Sequence, residues 1–300
     1  MNGKILNNRN VAKESNGAVT ENKAESEMKK DRNNRKRKKG LSPLEAEWGK
    51  VVNQELKYVQ NRAEKTDSRF NQLLAKKIPE NLQNTLDAAF SKAFRLVFEK
   101  GTGVIEKTYR KEEMKKEYQI NEYAAKVHGN KKALKVFSKK AVGAGTGNLL
   151  LSGASGIGLG VLGVGLPDIA LFTGLMLKGV YEIALSYGFD YEDEEEKKFI
   201  LLLIRGALCY GDELKSINEE LNFYMDYGAY AKVRTVEEVI QTAAGCLSKE
   251  LLYMKFLQGI PVVGAIGGAY DAVYMKQIME YAELKYRRRF YLRQRRSGMK

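Results

Sequence analysis

From Ala141 to Leu177 the chain carries one charged residue, Asp168, and the stretch AVGAGTGNLLLSGASGIGLGVLGVGLPD is saturated with glycine. Nothing else in the chain resembles it except a shorter echo, GIPVVGAIGGAYD, from Gly259 to Asp271. Glycine inside a helix is worse than alanine by about 1 kcal/mol. Such a run is therefore a poor isolated helix, unless a second backbone packs flush against it. Ser152, Gly156 and Gly160 recur every fourth residue and share one helix face, as do Gly264, Gly268 and Ala272 in the echo. Small residues at this spacing let two helices approach closely, most often in membranes. The two faces are expected to pack on each other.

Gly158, Gly160 and Gly163 also fit G-x-G-x-x-G, with Glu182 near the position of a ribose-binding acid. That fingerprint needs a strand before it and a helix opening at it. No strand pattern precedes it and no G-K-S/T follows, which argues against a nucleotide loop.

Only four prolines occur, at 43, 79, 167 and 261, and alternating apolar patterns are scarce. Proline disrupts helix interiors, so long helices are permitted almost everywhere. The expected fold is all-α: a multi-helix bundle with a central glycine-rich apolar hairpin, in one domain spanning 41–300. Ser42-Pro43-Leu44-Glu45 is a capping box with proline at the first helical position, opening a helix to about Leu74. Pro79 opens the next, which Gly101 ends. Residues 103–127 read as a charged helix, and His128-Gly129-Asn130 as a turn. A basic helix, Lys131 to Lys140, meets the glycine stretch. Pro167 starts the return helix, which stops at Gly188, so Ala141 to Gly188 reads as a hairpin. FILLLIRGALCY, Phe199 to Tyr210, is apolar nearly all round and therefore buried. Leu214, Ile217 and Leu221 mark an amphipathic helix, Thr235 with Glu238 caps another, and the last runs from about Val262 to Arg296.

The charge lies at the two ends. Residues 1–40 carry net +7 and residues 285–300 net +8, of a total of +14. Residues 1–40 are too polar to offset their ordering entropy and read as a disordered basic tail, with no secretory signal. Basic ends favour a polyanion. Arg35, Lys36, Arg37, Lys38 and Lys39 in the head, and Arg287, Arg288, Arg289, Arg293, Arg295 and Arg296 in the tail, are the candidate contacts to an anionic membrane surface. The tail interleaves Tyr286, Phe290 and Tyr291, which also suits nucleic acid, although no nucleic-acid module is recognisable.

A few polar groups interrupt the apolar segments: Asp168, Lys178, Glu182, Arg205 and Asp271. They form a candidate buried polar site between helices, with helix capping and structural ion pairs as the alternative. Lys178 and Glu182 stand at i, i+4 and can pair. A single histidine, His128, and two distant cysteines, Cys209 and Cys246, argue against a metal site. No metal, cofactor or catalytic residue is expected. The cysteines read as buried, inert thiols in a reducing compartment.

LPDIALFTGLMLKGVYEIALSYGFDYEDEEEKKFILLLIRGAL (Leu166 to Leu208) and GIPVVGAIGGAYDAVYM (Gly259 to Met275) together resemble the EcsC protein family, over roughly residues 75 to 295. The glycine-rich lead-in, the Pro-Asp break, A-x-x-Y-G-F at Ala184 to Phe189 and the Pro-x-x-Gly-Ala turn match in order. The resemblance implies an all-helical, mainly bacterial protein in a membrane context, with a transporter as a possible partner. It supplies no mechanism.

Leu149 to Leu166 would span about 27 Å as a helix at ~1.5 Å per residue, against a hydrocarbon core of ~30 Å. A peripheral helical protein and a re-entrant hairpin both remain open. The leading expectation is a non-enzymatic, membrane-associated accessory protein at the cytoplasmic face of the cell membrane. A lipid-handling protein or enzyme using the polar site is one alternative, and a basic nucleic-acid-binding protein another.

Overall fold

The computed structural model describes residues 41–63, 80–151, 167–257 and 269–298. Among them every regular element is a helix. In chain order these are α1 (Pro43–Asn61), α2 (Glu80–Leu96), a π-helical turn (Val97–Gly101), α3 (Thr102–Glu106), α4 (Lys111–His128), α5 (Lys131–Leu151), α6 (Pro167–Ser186), α7 (Glu194–Leu208), α8 (Gly211–Tyr227), α9 (Val236–Leu257) and α10 (Ala269–Arg296).

Local chemistry sets many of the boundaries. The Ser42 hydroxyl accepts the Glu45 amide at 3.3 Å, and Pro43 opens α1. The Asn130 side chain accepts the Ala133 amide at 2.9 Å and starts α5. At α9 the Thr235 hydroxyl accepts the Glu238 amide (3.2 Å) while the Glu238 carboxylate accepts the Thr235 amide (2.7 Å). This is the reciprocal capping box that the sequence predicts.

Three expectations give way: residues 103–127 are not one helix but α3 and α4, separated at 107–110, and two boundaries move. α1 ends at Asn61 rather than near Leu74, and Arg62 caps it. The Arg62 guanidinium lies over the Tyr58 and Tyr210 rings, and its carbonyl accepts the Gly211 amide at 2.9 Å, so the start of α8 holds the end of α1. Gly101 does not end a helix. It lies in the π turn, whose wider winding shifts the helical register, and both Val97 and Ile105 are buried in the core.

The glycine stretch enters the fold as a continuation of α5, which runs through Gly143 and Gly145 to Leu151. α5 packs along α6, as the hairpin requires. Ser152, Gly156, Gly160, Gly264 and Gly268 lie outside the described residues, as does the side chain of Ala272, and so does the expected packing of the two glycine faces. The basic head, 1–40, lies outside them too.

α6 and α7 are buried on nearly every side. α6 packs against α2, α4, α5 and α10, and α7 against α8, α9 and α10. α10 also touches α1, α5 and α8, which places it at the centre of the bundle. α6 ends in a Schellman motif: the Phe189 amide reaches the Ala184 carbonyl (3.0 Å) and the Gly188 amide the Leu185 carbonyl (2.9 Å). Gly188 is required there twice over. Its φ is +71°, and a methyl group at this position would sit 2.3 Å from Cζ of Tyr118 on α4.

Two glycine substitutions should therefore have opposite effects on thermal unfolding followed by circular dichroism. Gly143→Ala meets nothing within 4 Å and should stabilise α5 by up to about 1 kcal/mol. Gly188→Ala combines left-handed strain with overpacking and should destabilise by about 2–4 kcal/mol. A stabilised Gly188→Ala would refute the close approach of α4 to this turn.

Candidate functional site

The sequence offers the C-terminal half of α10 as a basic, aromatic contact for an anionic surface, but in the structure most of it faces inward. Lys285 has no exposed surface, and Tyr286, Phe290 and Tyr291 are buried. Carboxylates from other helices are the reason. Glu55 of α1 accepts Lys285 Nζ at 2.7 Å and the Asn218 and Asn222 side-chain amides of α8 at 2.8 and 2.7 Å on one oxygen. Its other oxygen takes Arg288 at 2.9 Å. Tyr281 donates to Asn218 Oδ1 at 3.0 Å and closes the cluster. Burial pushes the Glu55 carboxyl up, but Lys285 and Arg288 outweigh it and hold it below its usual range. Burial also lowers Lys285 to about 8, against the pull of Glu55.

The other arginines are taken in the same way. Glu196 of α7 accepts the Tyr286 hydroxyl (2.7 Å) and Arg289 (2.6 Å), whose guanidinium lies 4.2 Å from the centre of the Phe189 ring. Glu283 accepts the hydroxyls of Tyr187 (2.7 Å) and Ser138 (3.0 Å) and pairs with Arg287 at 3.5 Å. Arg293 donates to the Tyr187 and Gly188 carbonyls at the end of α6. Arg296 does the same for Met225 and Asp226 at the end of α8, and Arg295 reaches Glu45 at 2.7 Å. None of the six arginines proposed for an anionic surface is without a partner inside the protein. The matching head residues, Arg35 to Lys39, lie outside the described residues.

The candidate buried polar site is not assembled as one cluster among the described side chains. Lys178 and Glu182 are buried on α6. Arg205 turns away to Glu213 of α8, Nε to Oε1 at 3.2 Å. The side chains of Asp168 and Asp271 lie outside the described residues. His128 is exposed at the end of α4. Cys209 and Cys246, 37 positions apart in the chain, bring their sulfurs to 3.6 Å. Their contact and burial push the Cys209 thiol well above its usual range, consistent with an inert thiol. No group of three potential metal ligands occurs among the described residues.

The feature that sequence reasoning missed is a cavity of about 460 Å³ between α1, α5 and α10. Each helix contributes one face at helical spacing: Glu47, Lys50, Val51 and Gln54 from α1; Lys135, Ser138, Lys139 and Val142 from α5; Arg287 and Tyr291 from α10. Four cations thus face one carboxylate. Lys50 pairs with Glu47, and Arg287 with Glu283 and Gln54. Lys135 and Lys139 are exposed and have no carboxylate partner among the described residues. Just outside, the charges of Lys50 and Lys135 hold the Lys131 ammonium below its ordinary range. The i, i+3, i+4, i+7 spacing on α1 and α5 was visible in the sequence, but nothing in it joined the two helices.

A model of the EcsC protein family matches residues 46–291. The chain belongs to that family. The match begins earlier than the sequence resemblance suggested and takes in α1, the helix that carries Glu47 and Glu55. No curated protein and no solved structure matches the chain.

Glu55→Ala would leave Lys285 as an unpaired buried charge and should destabilise the fold by about 3–5 kcal/mol in chemical denaturation. A loss below about 1 kcal/mol would remove Glu55 from its role as the anchor of α10. Alkaline pH provides a second check. Burial holds the hydroxyls of Tyr187, Tyr281 and Tyr286 protonated well above their ordinary value of 10. Below that pH they are neutral in both states. Above it only the unfolded chain ionises, so stability falls as pH rises. The tyrosinate absorbance of these residues should appear together with loss of helix and not before it.

Proposed function

We propose that this EcsC-family chain is a non-enzymatic accessory protein, held peripherally at the anionic cytoplasmic face of the cell membrane. A membrane protein such as a transporter fits as its partner there. The observation that supports this reading is the distribution of unpaired charge. The arginines of α10 are occupied internally, whereas Lys131, Lys132, Lys135 and Lys139 form an exposed row on the first half of α5. That row leads directly into the charge-free run from Ala141 to Leu166. Lysines at headgroup depth beside apolar chain suit an anionic bilayer surface, where each contributes about 1 kcal/mol.

Two further observations favour peripheral contact over a spanning arm in α6. Ile169–Ser186 is long and apolar enough to cross a membrane, but 83 % of it is buried inside the bundle. Glu55, Glu196 and Glu283 each accept several donors from neighbouring helices, which supports a structural rather than a catalytic role for them.

Fractionation of native cells tests the reading. The protein should pellet with membranes and be released by 1 M salt, where the screening length falls to ~3 Å. Retention through both salt and alkaline carbonate would instead mean insertion. With purified protein, phosphatidylglycerol vesicles should bind and phosphatidylcholine vesicles should not. Lys131→Glu combined with Lys132→Glu should weaken vesicle binding by at least about tenfold. A protein that is soluble in cells and ignores anionic vesicles would refute the proposal.

A further inference from the structure

The cavity between α1, α5 and α10 has the chemistry of a site rather than of a packing gap. Tyr291 is 2 % exposed and lines it. The buried hydroxyls of Tyr187, Tyr281 and Tyr286 each donate to a named acceptor. The Tyr291 hydroxyl has no hydrogen-bond partner among the described residues. A buried tyrosine usually finds one. One unpartnered hydroxyl therefore lines a cavity that also holds two lysines without acid partners among the described residues.

We propose that this cavity binds the phosphomonoester group of a phosphorylated ligand. Charge selects the class. Lys50 and Arg287 are balanced by Glu47 and Glu283, which leaves Lys135 and Lys139 to be matched by two negative charges. A phosphomonoester supplies two near neutral pH, whereas a phosphodiester or a carboxylate supplies one. Its oxygens are acceptors only, as the Tyr291 hydroxyl requires. Charge-assisted bonds of this kind are the stronger class of hydrogen bond. The volume lies within the range of small-molecule sites, about 300–1,000 Å³, and admits a phosphate with a short carbon skeleton. Glu47 lies at the α1 wall, its charge taken up by Lys50.

The chemistry is shared by a soluble sugar or glycerol phosphate and by the headgroup of phosphatidic acid. In the second case the inference rests on the membrane reading above and names its lipid. In the first it stands alone.

Titration calorimetry of the full chain with sn-glycerol 3-phosphate tests it. Glycerol and dimethyl phosphate serve as uncharged and singly charged controls. One ligand should bind per chain, and both controls should fail. Lys135→Ala with Lys139→Ala should weaken binding by about tenfold or more. Tyr291→Phe, which keeps the ring and the fold, should weaken it several-fold, and circular dichroism should show both variants folded. No binding at millimolar glycerol 3-phosphate, together with no preference of vesicles for phosphatidic acid over phosphatidylglycerol at matched charge, would overturn the proposal and assign the cavity to water. Binding that both variants leave unchanged would overturn it too. A preference for phosphatidic acid that Tyr291→Phe abolishes identifies the lipid source. Binding of glycerol 3-phosphate without that preference identifies a soluble one. Vesicle binding that follows charge alone, with no glycerol 3-phosphate bound, removes the pocket and leaves the peripheral membrane reading intact.

Discussion

The carboxylate of Glu55 sets the position of three helices. It is buried among four donors from α8 and α10. An isolated carboxylate at that depth would be strongly disfavoured. It persists because every donor finds it at hydrogen-bond distance, and that geometry holds only when α1, α8 and α10 are in one register. The same device recurs around α10. Lys285 and Arg288, three apart, reach Glu55, and Tyr286 and Arg289, three apart, reach Glu196. The two pairs are offset by one residue, a rotation of about 100° on a helix, so α10 addresses α1 in one direction and α7 in another. Arg293 and Arg296 then cap the ends of α6 and α8 through their free carbonyls.

This arrangement carries less net stability than its contact list suggests. Desolvating an ion pair offsets much of its attraction, and an apolar replacement of equal volume is often as stable. The apolar bulk of α6, α7 and the tyrosine-rich face of α10 supplies the driving force for burial. The ionic contacts decide which way each helix is turned. A bundle made only of leucine faces could slide or rotate, but one whose lysine must meet a particular glutamate cannot do so without leaving both uncompensated.

The cavity shows the same economy from the other side. Where α1, α5 and α10 meet, the donors outnumber the acceptors, and the surplus is on residues that line open volume. Lys135 and Lys139 also belong to the exposed lysine row of α5, so the cavity mouth and the proposed membrane-facing surface are continuous. One patch of positive potential can draw an anionic surface toward α5 and offer a single headgroup a place to bind.

The helical class was legible in the sequence because it depends on local rules. Pro43 and Pro167 at helix starts, the Ser42 and Thr235 caps, Gly129 and Gly188 at helix ends and the apolar run of α7 each act within a few residues, and each reappears where the pattern put it. The family was legible too, through the order of the glycine lead-in, the Pro-Asp break and the A-x-x-Y-G-F step. What the sequence could not determine was the meaning of its charges. KYRRRFYLRQRR reads as a basic end offered to an anionic surface because its partners, Glu55 and Glu196, lie 230 and 90 positions away from Lys285 and Tyr286. Arg205 likewise found Glu213 and not the acid of α6. The cavity is a product of three faces from distant parts of the chain, none unusual by itself. Local periodicity fixed where the helices are, because backbone hydrogen bonds and caps are short-range. Only the tertiary structure decided which charges are spent inside and which remain for a ligand, because pairing depends on distances that folding alone creates.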